Sequence, residues 1–182
     1  MNDNMEIDVA GFFSWAYGDS RDEDFGVMTA ENLVHKSLYG IAPRRINWDA
    51  YDVVTSDGTT VEVKCSGKMS TRGYIDQPNP TYDIRIKDPW LVCENRYLGR
   101  SCRYADIWVF TFYSEDRSDY LDPFNADKWE YLVTTSDWLN EMFGNQKTVR
   151  RSVLLKAGLK PVGCVDLRKA VDALACNVAT LH

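Results

Sequence analysis

Apolar and polar positions alternate along two short runs, residues 51–55 and 59–66, on either side of Ser56-Asp57-Gly58, and predict a β-hairpin. Gly58 is third in the loop. Three-residue hairpin loops typically end in the left-handed region, where Gly is the least strained residue. That turn pairs Thr55 with Thr59, Val54 with Thr60 and Asp52 with Glu62. Asp52, Glu62 and Lys64 then share one face, and Val53, Val61 and Val63 line the other. A two-residue turn at Asp57-Gly58 would instead set Asp52 opposite Val63 and put the carboxylates on opposite faces. The three-residue loop is the expected one.

Helical spacing of Ala30, Leu33, Val34, Leu38 and Ile41 predicts a helix over roughly 29–39, with Gly40 at its C-terminal cap. Glu31 lies on the flank of that apolar stripe, and His35 points further out, to the surface. Residues 44–48 read as a short strand leading into the hairpin. Residues 67–80 read as a loop, punctuated by Gly, Ser, Pro and Asn and carrying Lys68, Arg72 and Tyr74. Residues 82–87 alternate like a strand. Asp88-Pro89 reads as an N-cap followed by a first-turn proline, with Gly99 closing a short helix. The mostly apolar run 105–113 is the candidate central strand, covered on both faces, and 129–134 is another. Ser136 is expected to cap a helix through Phe143, and a basic helical segment follows at 147–156. Asp166 is expected to cap a last helix over 167–175, with Leu167, Val171, Leu174 and Ala175 on its apolar face. This order suits an α/β fold with one mixed central β-sheet flanked by helices. The first 24 residues form an acidic lead-in whose aromatic cluster (Phe12, Phe13, Trp15, Tyr17) packs on the domain or a partner, and residues 25–182 form one domain.

Directly paired residues on a hairpin have Cβ atoms about 5 Å apart, so two carboxylates on one rung repel each other. A bound cation removes the objection. Mg²⁺ commonly takes one or two carboxylates together with waters and substrate phosphates. A cross-strand ion pair of Lys64 with either acid is the plainer alternative and is worth little at a surface. It accounts for one pair but not for two acids on a rung. For Glu31, the plain reading is a first-turn acid favoured by the helix dipole.

The arrangement of Asp52 with Glu62-Val63-Lys64 resembles the active site of the PD-(D/E)xK nuclease superfamily. Its pattern sets an Asp on one strand and Glu-x-Lys on the next, with a further acid often supplied by the preceding helix, here Glu31. Tyr51 precedes Asp52 where the pattern has Pro. The resemblance covers roughly residues 29–113. It implies a restriction-endonuclease-like core and a Mg²⁺-dependent endodeoxyribonuclease, with Mn²⁺ able to substitute, acting in restriction, defence or repair. Asp52, Glu62, the Val63 backbone carbonyl and Glu31 would then be the metal ligands, and Lys64 would orient the attacking water or stabilise the transition state. DNA is the expected substrate, with RNA as the alternative. Cutting both strands of a duplex would favour a symmetric homodimer. Two other readings stand beside it. One is a non-catalytic nucleic-acid-binding or assembly module that keeps the nuclease fold. The other is an unrelated α/β enzyme in which Asp52 is a strand-end polar residue; Gly-rich phosphate loops and a nucleophile elbow are both missing from the sequence.

Composition narrows the picture. At 182 residues, with 45% hydrophobic and 13% aromatic residues, the chain has enough material for one folded core. No apolar run approaches the roughly 18 residues of a membrane span, and the N-terminus lacks the basic start of a secretory signal. A cytoplasmic protein with no membrane partner is expected. The five cysteines, at 65, 93, 102, 164 and 176, share no Cys-x-x-Cys spacing, which favours reduced thiols over a zinc site. The net charge of −6 argues against a nucleic-acid partner until its distribution is considered. Residues 1–31 carry eight acids against Arg21 alone, whereas 147–169 carry seven bases against Asp166 alone. Lys147, Arg150 and Arg151, with Lys68 and Arg72, are the candidate phosphate contacts. A solvated helix face would account for the basic segment equally well.

Overall fold

The hairpin forms in the expected register. In the computed structural model, which describes residues 8–18, 23–39, 49–67, 79–114 and 122–178, strand β1 (Val53–Val54) runs antiparallel to β2 (Thr60–Gly67), with Val53 opposite Val61 and Val54 opposite Thr60. Gly58 closes the loop at φ +91°. Its N–H donates to Thr55 O at 2.9 Å, and Thr55 N–H donates to Thr59 O at 2.8 Å. Asp57 adds a local brace, with its carboxylate accepting the Thr59 N–H at 3.2 Å.

Two helices precede the hairpin, α1 (Val9–Tyr17) and α2 (Glu23–Tyr39). Helix α2 starts earlier than the apolar spacing suggested, and Thr29 lies inside it, its hydroxyl donating to Phe25 O at 2.8 Å. Its Ala30, Leu33, Val34 and Leu38 are buried against β2. On α1, Trp15 is 83% exposed, and Phe12 and Phe13 are also exposed. Within the cluster, the Phe12 and Phe13 rings meet edge to face with centroids 5.7 Å apart.

After β2 come β3 (Thr81–Asp83), β4 (Trp90–Leu91) and β5 (Arg96–Tyr97), then β6 (Ile107–Tyr113) and β7 (Trp129–Thr135). The last part of the chain holds α3 (Ser136–Phe143), β8 (Thr148–Arg150), α4 (Arg151–Lys156) and α5 (Cys164–Val178). Four strands make a mixed sheet in the order β1-β2-β6-β7. β6 is parallel to β2 and antiparallel to β7. Every residue of β6 is buried, as its unbroken apolar run requires of a strand covered on both faces. Val61, Val63, Ile107, Val109 and Tyr131 pack against α2 and α5 on one face. Trp108, Phe110 and Leu132 pack on the other face against Leu139 of α3, Leu154 of α4 and the β3–β8 pair. No helix among the described residues is long and apolar enough to cross a membrane.

Three local expectations are corrected. Residues 88–99 form no helix: β4 and β5 pair as a ribbon around a 3-10 turn (Val92–Glu94), with Asn95 at φ +51°. Asp88 accepts a backbone N–H as an N-cap would, but the donor is Gly99, at 2.9 Å across the ribbon base. The cap of α3 is Thr135, whose hydroxyl accepts from Trp138 N–H at 3.1 Å, while Ser136 is turned inward to receive the Trp108 indole N–H at 2.9 Å. The basic segment at 147–156 is split, because Thr148–Arg150 is drawn into pairing with β3 and only Arg151–Lys156 is helical. Gly40, Ile41, the strand expected at 44–48 and residues 68–78 lie outside the described residues.

Substituting Gly58→Ala should lower stability by about 1–2 kcal/mol. The added Cβ meets no atom within 4 Å, so the positive φ alone carries the cost. Urea denaturation measures it. A loss below 0.3 kcal/mol would mean the loop has another conformation and the hairpin register another basis.

Candidate active site

β1 stops one residue short of Asp52, and this shapes the site. The Asp52 N–H donates to Val61 O at 3.0 Å, but Asp52 lies outside the ladder, and the expected pairing of Asp52 with Glu62 is corrected. The rung beyond is left open, and the Asp52 carboxylate fills it by accepting the Val63 N–H at 2.7 Å. N–H and C=O of one residue leave an antiparallel strand on the same edge. The Val63 carbonyl therefore faces the same open edge as Asp52. Tyr51 has also left the ladder, and its ring stacks on Tyr104 with centroids 6.4 Å apart and planes 12° apart.

Glu62 and Lys64 lie on the sheet face opposite the buried Val61 and Val63, as the alternation requires. The Lys64 ammonium is ion-paired with Glu62 and lies over the Trp108 ring, 5.5 Å from its centroid. Burial alone would lower the Lys64 pKa, but Glu62, with Asp52 and Asp83 behind it, makes the net shift upward. Glu31 is buried, and its charge acts on Asp52 and on His35. The structure thus brings together Asp52, Glu62, Lys64 and the electrostatic influence of Glu31. Burial first, then Glu62 and Glu31, pushes the Asp52 carboxyl from 3.8 up to about 7, against the opposing pull of the Val63 N–H and Lys64.

Two contributors were missed in the sequence. His35 was expected at the surface and is buried. Its Nε2–H donates to the Asp52 carbonyl at 3.0 Å, and its Nδ1 is buried without a partner. Burial lowers its pKa, which keeps the ring neutral. Helical spacing from Glu31 places His35 on the adjacent turn, but only the fold shows that residues 49–52 cross over it. Lys87 is the second, with Nζ standing 3.8 Å from Glu62 Oε1. Arg85, Lys87, Arg103, Tyr104 and Trp108 line a cavity with Glu62 of about 10 Å³, room for one water. The alternation Tyr82-Asp-Ile-Arg-Ile-Lys87 held the signal: Tyr82 and Ile84 are buried, so Asp83, Arg85 and Lys87 project the other way.

Of the expected phosphate contacts, Lys68 and Arg72 lie outside the described residues. Lys147 and Arg150 are exposed on or beside β8, next to β3, whose Asp83 acts electrostatically on Lys64. Arg151 is turned inward. It is ion-paired with Glu130, and its guanidinium carbon lies 4.5 Å from the Phe112 ring centroid.

Asp52 and Glu62 are hard oxygen donors, with the Val63 carbonyl on the same edge. That set suits an oxygen-seeking cation that keeps much of its own water. Among the described residues no three His, Cys, Asp or Glu side chains form a metal-holding group, so an all-protein cage does not fit. None of the five cysteines is in a disulfide, and burial raises the Cys65 pKa to about 11. No protein-family model matches the chain, and neither does any curated protein or any solved structure.

Two outcomes follow from these contacts. The raised Asp52 pKa means that the protonated carboxyl favours the folded state. Its contribution is complete below the unfolded value of 3.8 and is lost as pH rises through about 7. Asp52→Asn should therefore exceed the wild type in stability by about 1–3 kcal/mol at pH 8, with the gap closing toward pH 4. Urea titrations at both pH values check this; a gap independent of pH would refute the electrostatic origin. Arg151→Met should cost about 1–2 kcal/mol of stability through its lost contacts with Glu130 and Phe112. Urea denaturation measures it; an unchanged stability would mean that these contacts do not hold Arg151 inward.

Proposed function

We propose that the chain is a divalent-cation-dependent nuclease of the PD-(D/E)xK type, with a restriction-endonuclease-like core, and that it hydrolyses phosphodiester bonds in DNA. The observation that carries this reading is the crowding of the Glu62 and Glu31 charges on Asp52, with half-buried Lys64 paired to Glu62, at an open strand edge. Burial first, and then repulsion by Glu62 and Glu31, raises the Asp52 pKa, and the repulsion makes the site a stronger host for added positive charge.

Mg²⁺ bound there would supply Lewis acidity toward a phosphoryl oxygen and lower the pKa of a water. The chain's own residues do the positioning. Val63 N–H fixes the Asp52 carboxylate, and His35 holds the Asp52 carbonyl. Lys64, pinned between Glu62 and Trp108, keeps a cation where negative charge would develop on the phosphate. Exposed Lys147 and Arg150 offer phosphate contacts on the neighbouring strand. A second reading, a non-catalytic nucleic-acid-binding module, is favoured by the ion pairing of Glu62, which already has ammonium groups at hand.

Plasmid nicking in Mg²⁺, Mn²⁺ or EDTA separates the two readings. The wild type should cut in either metal and not in EDTA. Lys64→Ala should lose roughly 100-fold in rate, and Glu62→Gln should lose cutting while keeping its fold. Mg²⁺ should raise the melting temperature of the wild type and not that of Glu62→Gln, since a ligand that binds the native state stabilises it. Cutting that persists in EDTA would sink the mechanism. DNA binding without cutting or metal-dependent stabilisation would favour the non-catalytic module.

A further inference from the structure

Glu62 has two ammonium groups on it, and they are held very differently. Lys64 is part of the same strand, its side chain is only 24% exposed, and the Trp108 ring lies beneath it. Lys87 follows β3, its side chain is 54% exposed, and its Nζ stands 3.8 Å from Glu62 Oε1, beyond hydrogen-bonding distance. A pair as loose and solvated as that contributes little to holding either partner. The Lys87 backbone, by contrast, is fixed. It exchanges hydrogen bonds with Cys102, N–H to O at 3.3 Å and O from N–H at 3.0 Å, at the base of the β4–β5 ribbon. Only the side chain is free to swing, from a root that stays beside Glu62.

We propose that Lys87 is an exchangeable counter-ion of the site, screening Glu62 in the metal-free protein and turning to a substrate phosphate when a divalent cation takes Glu62. Arg85, two residues back on the same exposed side and lining the same cavity, is the second donor to that phosphate. Its present partner is Asp83, with Nε–Oδ2 at 2.8 Å in a pair about half exposed on both sides, which a phosphate can replace at little cost. This proposal rests on the nuclease reading and adds a second group of cations to it, on the segment that follows β3, the strand paired with β8.

The exchange has a signature that a structural role would lack: removing Lys87 moves two binding events in opposite directions. In Lys87→Met, Mn²⁺ should bind about two- to fivefold more tightly, because Glu62 no longer has that competing cation. A short DNA duplex, held with Ca²⁺ in place of Mg²⁺, should bind about tenfold more weakly, and the slope of log Kd against log salt should fall by about one. Lys87→Arg should restore the duplex slope. Mn²⁺ is followed by electron paramagnetic resonance of the free ion, and the duplex by fluorescence anisotropy at several salt concentrations. Unchanged or weakened Mn²⁺ binding in Lys87→Met would overturn the proposal, as would an unchanged salt slope. Failure of the wild type itself to bind Mn²⁺ would overturn the nuclease reading, and this proposal with it.

Discussion

The structure turns on one missing rung. Had β1 continued through Asp52 and Tyr51, the Val63 N–H would have been paired by backbone and the edge of β2 sealed. Instead the Asp52 side chain takes that N–H, and His35 takes the Asp52 carbonyl. Buried backbone polar groups nearly always find a partner. Here that demand is met by a carboxylate where a peptide would normally serve. The exchange leaves a charged oxygen, a backbone carbonyl and the Glu62 carboxylate around one edge, in a corner already burdened by Glu31. Such an arrangement is electrostatically unfavourable in the isolated protein, and it is tolerated because Lys64 and Lys87 offset it.

The rest of the fold holds that corner still. β6 lies beside β2 along the whole Val61–Gly67 run and is buried on both faces, so β2 cannot shift register without exposing a core strand. Asp106, just ahead of β6, accepts both the backbone N–H and the hydroxyl of Thr60 at 2.8 Å, tying the start of β2 to the start of β6. Helix α2 is fastened from the other side by Leu33, Val34 and Leu38, and it carries Glu31 and His35 in from a different part of the chain. The carboxylates therefore come from three elements whose relative positions are set by packing. Preorganisation of this kind is what allows a charged site to act on a substrate without first rearranging.

What the sequence disclosed depended on range. The hairpin register was legible because it follows from three loop residues and one positive φ at Gly58, all local. β6 was legible because seven buried residues in a row leave few alternatives. The ribbon at 88–99 was misread because Asp88, Pro89 and Gly99 satisfy the local rules for a short helix, while the pairing of Trp90 with Tyr97, rings 5.0 Å apart, decides for strands. His35 and Arg151 were misplaced for a related reason. Their partners, Asp52, Glu130 and Phe112, lie 17 to 39 positions away along the chain, and no periodicity reports a contact of that span. The site acids were visible as types and spacing; the open edge that groups them was not.

Arg103 shows how the distant ribbon comes to matter to the site. It is buried, none of its hydrogen-bond partners among the described residues is a carboxylate, and burial lowers its pKa. Its donors go to Ile84 O at 2.8 Å, Asn140 Oδ1 at 2.6 Å, Gly144 O at 2.8 Å and Gln146 O at 3.3 Å. Asn140 and Gly144 belong to the C-terminal end of α3, where the helix dipole favours a cation. One guanidinium thus clamps the segment after β3 that carries Arg85 and Lys87 to the end of a helix packed on the sheet. The backbone carbonyls that solvate it cannot follow a moving chain, so the roots of Arg85 and Lys87 are fixed relative to Glu62 even though their side chains reach into solvent. Rigid roots with mobile charged ends are what a phosphate contact needs: little ordering cost in the backbone, and enough side-chain freedom to exchange one anion for another.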